Sequence, residues 1–336
     1  MRVVLADTNF AEDTWIQIVK AIAIFAFILG VTPMVLLLER KLMGRMQSRY
    51  GPNRVGPYGL LQPLADVIKL LTKENSTPVT AVPWMMAIAP VISVLTAVMT
   101  LAIIPFGDRG TWGDNFGLYG IDVPIGILYM FAFGSIAFYG FLLGGWASGS
   151  KFSFLGSMRA AAQLISYEVS LGLALLGVVI MSQSLSLVTI VHQQDTVWYI
   201  LPQFVGFCIF LVAGFAETAR PPFDLPEADA ELVAGYNTEY GGMRFGAFFM
   251  AEYMHIIVFS GLATALFLGG WRGPGPIGLG PLWVVLKMFL LVCFFIWARA
   301  TFPRLRYDQL MSFGWKVLLP LATLNALVTA ILVVVL

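Results

Sequence analysis

Charge is scarce in this sequence. Of 336 residues only 12% are Asp, Glu, Lys or Arg, while 59% are hydrophobic. A soluble domain carries about 25% charge, so this chain lacks the polar residues to cover a folded body of its size in water. Cysteine is scarcer still: Cys208 and Cys293 both lie inside apolar runs. That excludes a disulfide framework, a cysteine-ligated zinc site and an iron–sulphur cluster within the chain. The two histidines do not suffice for a pair of haems, and His192 sits in the polar stretch His192-Gln193-Gln194-Asp195. The 20 bases and 19 acids nearly cancel, which removes electrostatic support for a nucleic-acid partner. Met1 to Asp13 lacks the basic n-region of a signal peptide. Electrons for any redox chemistry must come from another subunit.

What the chain has in abundance is uncharged apolar runs, many long enough to cross a hydrocarbon core of about 30 Å. Eight transmembrane helices are predicted, at Ile16–Leu38, Trp84–Ile104, Ile125–Ala147, Ala160–Ser182, Trp198–Glu217, Phe245–Trp271, Leu282–Ala298 and Trp315–Leu336. No alternating segments of barrel type and no fixed-period repeat occur. The expectation is one all-α polytopic membrane domain over residues 1–336. Lys and Arg are distributed unevenly: 15 of the 20 fall after the first, third, fifth and seventh helices. The positive-inside rule then places those connections in the cytoplasm and both termini on the outer side.

Two cytoplasmic connections are long, 39–83 and 218–244. In the first, Leu60, Leu61, Leu64, Val67, Ile68 and Leu71 recur at helical spacing, with Gln62, Asp66, Lys69 and Lys73 on the other side. Twelve residues of helix span only about 18 Å, so this segment is expected to lie in the membrane interface or against its neighbours.

Isolated acids inside the apolar runs carry the chemical information. Glu168 and Glu252 lie in the cytoplasmic parts of their helices, where an unpaired carboxylate costs several kcal/mol. Each adjoins a tyrosine, Tyr167 or Tyr253, a candidate relay hydroxyl. Glu217 closes the fifth helix, and Glu227, Asp229 and Glu231 alternate with alanine in the loop beyond. An extended backbone would put all three on one face and a helix would turn Asp229 away; in either case like charges raise one another's pKa. The alternatives are structural hydrogen bonds for the helix acids and a solvated face for the loop acids. The bases after the first helix suit lipid head groups or, where they face inward, the head of a lipid-like substrate. Lys287 is expected to snorkel to the outer interface, and His255 either joins the acids or is a hydrogen-bonded core histidine.

The sequence Glu39-Arg40-Lys41-x-x-Gly44-x-x-Gln47-x-Arg49-x-Gly51-Pro52-Asn53-x-x-Gly56 resembles the first-loop signature of the H-subunit family of NADH-quinone oxidoreductase, respiratory complex I. Glu217-x-x-Arg220-x-Pro222-Phe223-Asp224-x-x-Glu227-x-Asp229-x-Glu231-Leu232 resembles the second. Ser166-Tyr167-Glu168, Gly235-Tyr236-x-x-Glu239-Tyr240, Ala251-Glu252-Tyr253 and Arg304-x-Arg306-Tyr307-Asp308-Gln309 match as well. Asp229 stands where the family usually has glutamate.

The resemblance implies a membrane subunit of the bacterial inner membrane, active only within a proton-pumping NADH:quinone reductase. It forms the membrane end of the quinone (ubiquinone-type) chamber and begins a proton path toward antiporter-like subunits. Arg40, Arg45, Asp66, Arg220 and Phe223 are then expected at the chamber or its access route. Glu168, Glu217, Glu227, Asp229, Glu231 and Glu252 are expected on the proton path. The chain itself is expected to hold no metal or other cofactor. FMN and iron–sulphur clusters belong to partner subunits, among them the peripheral subunit bearing the terminal cluster. Two other readings stay open, a related membrane subunit of a hydrogenase-type complex and a stand-alone secondary transporter.

Overall fold

A main chain in hydrocarbon must satisfy its own hydrogen bonds, and a helix does so within one segment. The computed structural model describes residues 14–108, 117–226, 229–274 and 277–335, and all regular structure among them is helical. Seven helices are long and apolar enough to span a membrane. They are α1 (Thr14–Met46), α3 (Pro83–Ala102), α4 (Gly126–Ala147), α5 (Lys151–Ser182), α9 (Gly242–Phe267), α10 (Gly280–Thr301) and the composite of α11 (Tyr307–Phe313) with α12 (Leu319–Val335). An eighth apolar helix, α7 (Phe204–Glu217), is shorter. Between them lie α2 (Gln62–Thr72), α6 (Leu187–Gln193) and the single turn α8 (Asp229–Leu232).

Several boundaries differ from the sequence expectation for definite reasons. α1 and α5, with 33 and 32 residues, are each about 50 Å long. Their helical hydrogen bonding continues past the point where the first charges appear, because Arg, Lys and Met are good helix formers. Glu39, Arg40, Lys41 and Arg45 therefore belong to α1, and Arg159 to α5. The 14-residue α7 measures only about 21 Å, because Pro202 lacks an amide proton and disfavours helix at the residue before it. Trp198 to Gln203 form turns instead, with Ile200 N–H donating to the Phe267 carbonyl at 2.9 Å. Before α12, residues 314–318 form a π-turn in which Leu319 N–H reaches back to Gly314. Pro320, which follows, has no N–H for the Lys316 carbonyl.

α9 is the central column, packed by α1, α2, α3, α6, α7 and α10, while α5 gathers α4, α7, α8, α11 and α12 around it. Small residues permit the closest crossings: a Cβ at Gly214 of α7 would overlap the Phe259 ring of α9. The two columns face each other where α7 ends. We call the side bearing the long connections 39–83 and 218–244 the basic side.

Candidate functional site

Glu217, the last residue of α7, lies half-buried against α4, where a Cβ built at Gly134 would meet its Oε1 at 3.6 Å. Glu168 of α5 accepts a hydrogen bond from Ser135 Oγ of α4 at 2.6 Å. These two acids, with Thr100 of α3, Thr218 and His255 of α9, wall one cavity of about 40 Å³. Glu217 Oε2 and His255 Nε2 are buried there without a protein hydrogen-bond partner. Acids some fifty residues apart in sequence thus meet at one small cavity.

Glu252, on the same helix as His255, has different company. Its carboxylate lies 3.2 Å from Arg220 Nη2, both side chains are almost fully buried, and the guanidinium stacks 4.2 Å above the Tyr253 ring. The turn carrying Arg220 is held by Gln163, whose Nε2 donates to the carbonyls of Ala216 and Phe223 at 2.7 and 2.8 Å. Phe223 is buried and rests on the Tyr167 ring, 5.6 Å between centroids. Tyr167 O–H donates to the Leu310 carbonyl of α11 at 2.9 Å, so its hydroxyl ties α5 to α11 and points away from the carboxylates.

Tyr253 connects this pair to the first loop. It walls a second cavity, about 70 Å³, together with Thr32, Leu36, Asp66, Val67 and Leu70. Asp66 accepts from Arg40 Nη1 at 2.6 Å. The helix α2 begins at Gln62, two residues later than its leucine pattern suggests. It turns Val67 and Leu70 toward the cavity and leaves Leu64, Ile68 and Leu71 exposed. Arg45 is exposed at the end of α1 and does not join this group. The glycines of the first loop have a steric reason: a Cβ at Gly51 would sit 2.9 Å from Lys41 Cα, and at Gly59, where φ is +75°, it would overlap the Pro52 carbonyl oxygen.

Of the three loop acids, Glu231 alone has a described side chain. Glu231 pairs with Arg159 at 2.5 Å and is half exposed. That hydrogen bond holds its carboxyl below the usual carboxylate range, opposite to the rise expected from mutual repulsion. Asp229 opens the α8 turn, so the segment is helical where described; its side chain, and all of Glu227, lie outside the described residues. The motif Gly235-Tyr236-x-x-Glu239-Tyr240 anchors the loop through Phe248, whose ring centroid lies 5.2 Å from Tyr236 and 5.0 Å from Tyr240. Burial raises the Tyr240 phenol above its ordinary range.

On the opposite side Lys287 does not snorkel. It is 8% exposed, donates to the carbonyls of Leu268, Gly270 and Arg272 at 2.6, 2.9 and 2.6 Å, and lies 4.3 Å above the Trp198 ring. The amino group satisfies the carbonyls of the cap and turn that follow α9. No group of three or more metal-binding side chains occurs among the described residues.

Sequence reasoning missed Ser135, Gln163, Thr100 and the buried pair of Glu39 with Arg299. The polar residues have no sequence signal beyond lying inside apolar runs. Glu39 and Arg299 are 260 positions apart, and only tertiary packing joins them.

Comparison with known proteins agrees with the residue patterns. The NADH dehydrogenase family profile matches residues 19–330. One H subunit of the NADH-quinone oxidoreductase of Geobacter metallireducens is 51% identical over 96% of this chain and 98% of its own length. The corresponding H subunit of Syntrophotalea carbinolica is 51% identical, covering 95% and 98%, and that of Thermomicrobium roseum 50%, covering 89% and 90%. The chain belongs to the NADH dehydrogenase family, among the H subunits of NADH-quinone oxidoreductase.

Proposed function

We propose that this member of the H-subunit family forms the membrane end of the quinone chamber in a proton-pumping NADH:quinone oxidoreductase, and that it starts the path by which quinone reduction drives protons. Quinone is the substrate; FMN and iron–sulphur clusters reside in partner subunits. Among these is the peripheral subunit with the terminal cluster, which delivers electrons. The chain lies in the bacterial inner membrane with its basic side in the cytoplasm and both termini outside, as the asymmetry of Lys and Arg favours.

The observation that carries the reading is the chain of contacts from the first-loop cavity to the acids Glu168 and Glu217. Asp66, paired with Arg40, and Tyr253 wall the cavity, Arg220 stacks on Tyr253, and Glu252 pairs with Arg220. One turn farther along α9, His255 opens on Glu168 and Glu217. An isoprenoid tail reaches the cavity between α2 and α1, where Val67 and Leu70 offer apolar walls. A charge change on the bound head group is felt at Arg220, and the balance of that ion pair sets the field on the acids beyond it. Glu227, Asp229 and Glu231 form the loop side of the path, with Arg159 fixing Glu231 as a charge.

Protons leave sideways into a neighbouring membrane subunit. In the described parts of the membrane-spanning helices on the far side of Glu168 and His255, the ionisable side chains of the Asp, Glu, His, Lys and Arg types are Lys20 and Lys287 alone; His192, in the short α6, is exposed and pairs with Asp108. The two lysines are cations, and neither replaces a carboxylate relay over the remaining half of the bilayer.

The test uses the intact complex in proteoliposomes. Glu217→Gln and Glu168→Gln should each leave assembly intact and lower proton translocation coupled to NADH oxidation by about tenfold or more, since an amide cannot cycle a proton. The purified chain alone should conduct few protons. Normal pumping in both variants, or robust proton flux through the isolated chain, would refute the proposal.

A further inference from the structure

We propose that His255 is itself a proton carrier of this path, exchanging a proton with Glu217 and Glu168 across the cavity they share. The inference rests on the function proposed above and adds to it a residue that the carboxylate signatures do not contain.

Three observations place it there. His255 lies on α9 one turn from Glu252, but it walls the cavity of Glu168, Glu217 and Thr100. Its ring is fixed, because the imidazole is hydrogen-bonded to the Ser93 main chain of α3 while Nε2 has no protein partner. Donation of one ring N–H to a carbonyl selects the tautomer in which the other nitrogen is an acceptor. Glu217 Oε2 is likewise buried in the same site without a protein partner. A donor-capable carboxyl and an acceptor-capable imidazole therefore face one space of about 40 Å³, enough for roughly one water molecule at about 30 Å³.

The neighbours leave the histidine to these acids. From α5 comes Glu168, already accepting from Ser135, and from α7 come Glu217 and Thr218. The α4 wall, Met130, Phe131 and Gly134, has no titratable group, and α3 contributes Thr100 and the Ser93 main chain. Glu252 on its own helix is engaged by Arg220. Of the cations on α10, Lys287 caps the α9 carbonyls and Arg299 pairs with Glu39 of α1. On α1, Lys20 lies 5.5 Å above the Tyr119 ring.

The step balances simply. The O–H bond of the Glu217 carboxyl breaks as an N–H bond forms at His255 Nε2, directly or through one water. That N–H bond then breaks as the Glu168 carboxylate takes the proton. No electron moves, and the total charge of the three groups is unchanged until a proton enters or leaves the cluster. In the intermediate both carboxylates are ionised, and the imidazolium between them offsets their like charges.

The experiment compares the wild-type complex with His255→Gln, His255→Phe, Gly134→Ala and Glu217→Gln in proteoliposomes, reading assembly, the proton-to-quinone ratio and the pH profile of coupled turnover. His255→Gln keeps a hydrogen-bond donor for Ser93 but binds no proton. It should assemble normally, lower coupled turnover by about tenfold and remove one limb of the pH profile. A structural histidine would leave that profile unmoved. Gly134→Ala fits sterically, since its Cβ meets only Glu217 Oε1 at 3.6 Å, and it puts a methyl group into the transfer space. It should lower the ratio several-fold, and it carries the test alone if both His255 variants fail to assemble. A wild-type ratio and profile in His255→Gln, or without that variant in Gly134→Ala, overturns the inference. Loss of coupling in Glu217→Gln with normal His255→Gln sinks the histidine role alone, whereas a normal Glu217→Gln sinks the carboxylate path beneath it.

Discussion

Glu252 and Glu217 are acids on the basic side of the same helix bundle, one fully buried and one half-buried, and their surroundings are opposite. Glu252 has a guanidinium within 3.2 Å, itself stacked on an aromatic ring. Its charge is compensated where it stands. Glu217 ends α7 beside a small cavity, with one oxygen lacking a protein partner and a second acid sharing the space. No cation offsets the desolvation of its ionised form. One site compensates a charge and the other has the surroundings that the proton exchange proposed above requires, and the step between them along α9 is one turn, from Glu252 to His255.

The largest expected effect comes from breaking the compensated site. Arg220→Gln leaves Glu252 buried without its partner, a loss of about 3–5 kcal/mol. Native gels should show far less assembled complex, and the complex that does form should have an altered pH profile of quinone reduction. Arg220→Gln combined with Glu252→Gln removes both charges and should regain much of the assembly, because a pair of neutral residues leaves no orphan charge. A double variant as poorly assembled as the single one would show that the two residues do not act as a unit.

Lys287→Met probes whether a charge without any carboxylate partner is structural. Three carbonyls lose their donor, at a cost of about 2–4 kcal/mol, and thermal unfolding of the purified complex should begin several degrees lower. The proton-to-quinone ratio of the surviving complex should stay at the wild-type value. A changed ratio would make the outer half of the bundle part of the proton path.

A smaller effect separates the two faces of α2. Val67→Phe fills the space near Asp66 and Tyr253, whereas Leu64→Phe changes an exposed face. Val67→Phe should slow reduction of long-tailed quinones about threefold to tenfold more than short-tailed analogues, a difference of roughly 1 kcal/mol. Leu64→Phe should affect both alike. Equal behaviour of the two variants would remove the access route from between α1 and α2.

The smallest effect belongs to the surface. Arg159→Gln releases Glu231, a half-exposed partner, and should cost no more than ~0.5 kcal/mol. Because the folded carboxyl titrates below its unfolded value, this contribution is present above the unfolded pKa and fades as pH falls through the folded one. Denaturation of the purified complex should therefore distinguish the variant from wild type at neutral pH and no longer do so once the pH is below both values.

Much of this was legible in the sequence. Apolar length located the seven long helices, leucine spacing located α2, and single acids in apolar runs located Glu168 and Glu252. Hydropathy counts charges, however, whereas a helix ends where its main-chain bonds end, and so α1 and α5 run farther than their apolar parts. Proximity was the second gap. Nothing in the sequence ranks Arg220 against other bases as the partner of Glu252, or turns His255 toward Glu217. Lys287 shows the limit of reading a residue by its depth alone. The carbonyls freed at the end of α9, among Gly269 and Gly270 in left-handed conformations, provide a buried destination that no periodicity announces.

That destination gives α9 unequal ends. The turn after its outer terminus is fastened by one amino group shared among three carbonyls, while its other end starts beside Lys73 and Asn75 of the first loop. Glu252 stands 16 residues from Leu268, about 24 Å along the axis. A tilt of α9 by about 2° around the fastened end would carry Glu252 about 0.8 Å and His255 about 0.7 Å. A small displacement at the ion pair would then reach the cavity of Glu217 and His255 almost undiminished while the far end of the helix stays still.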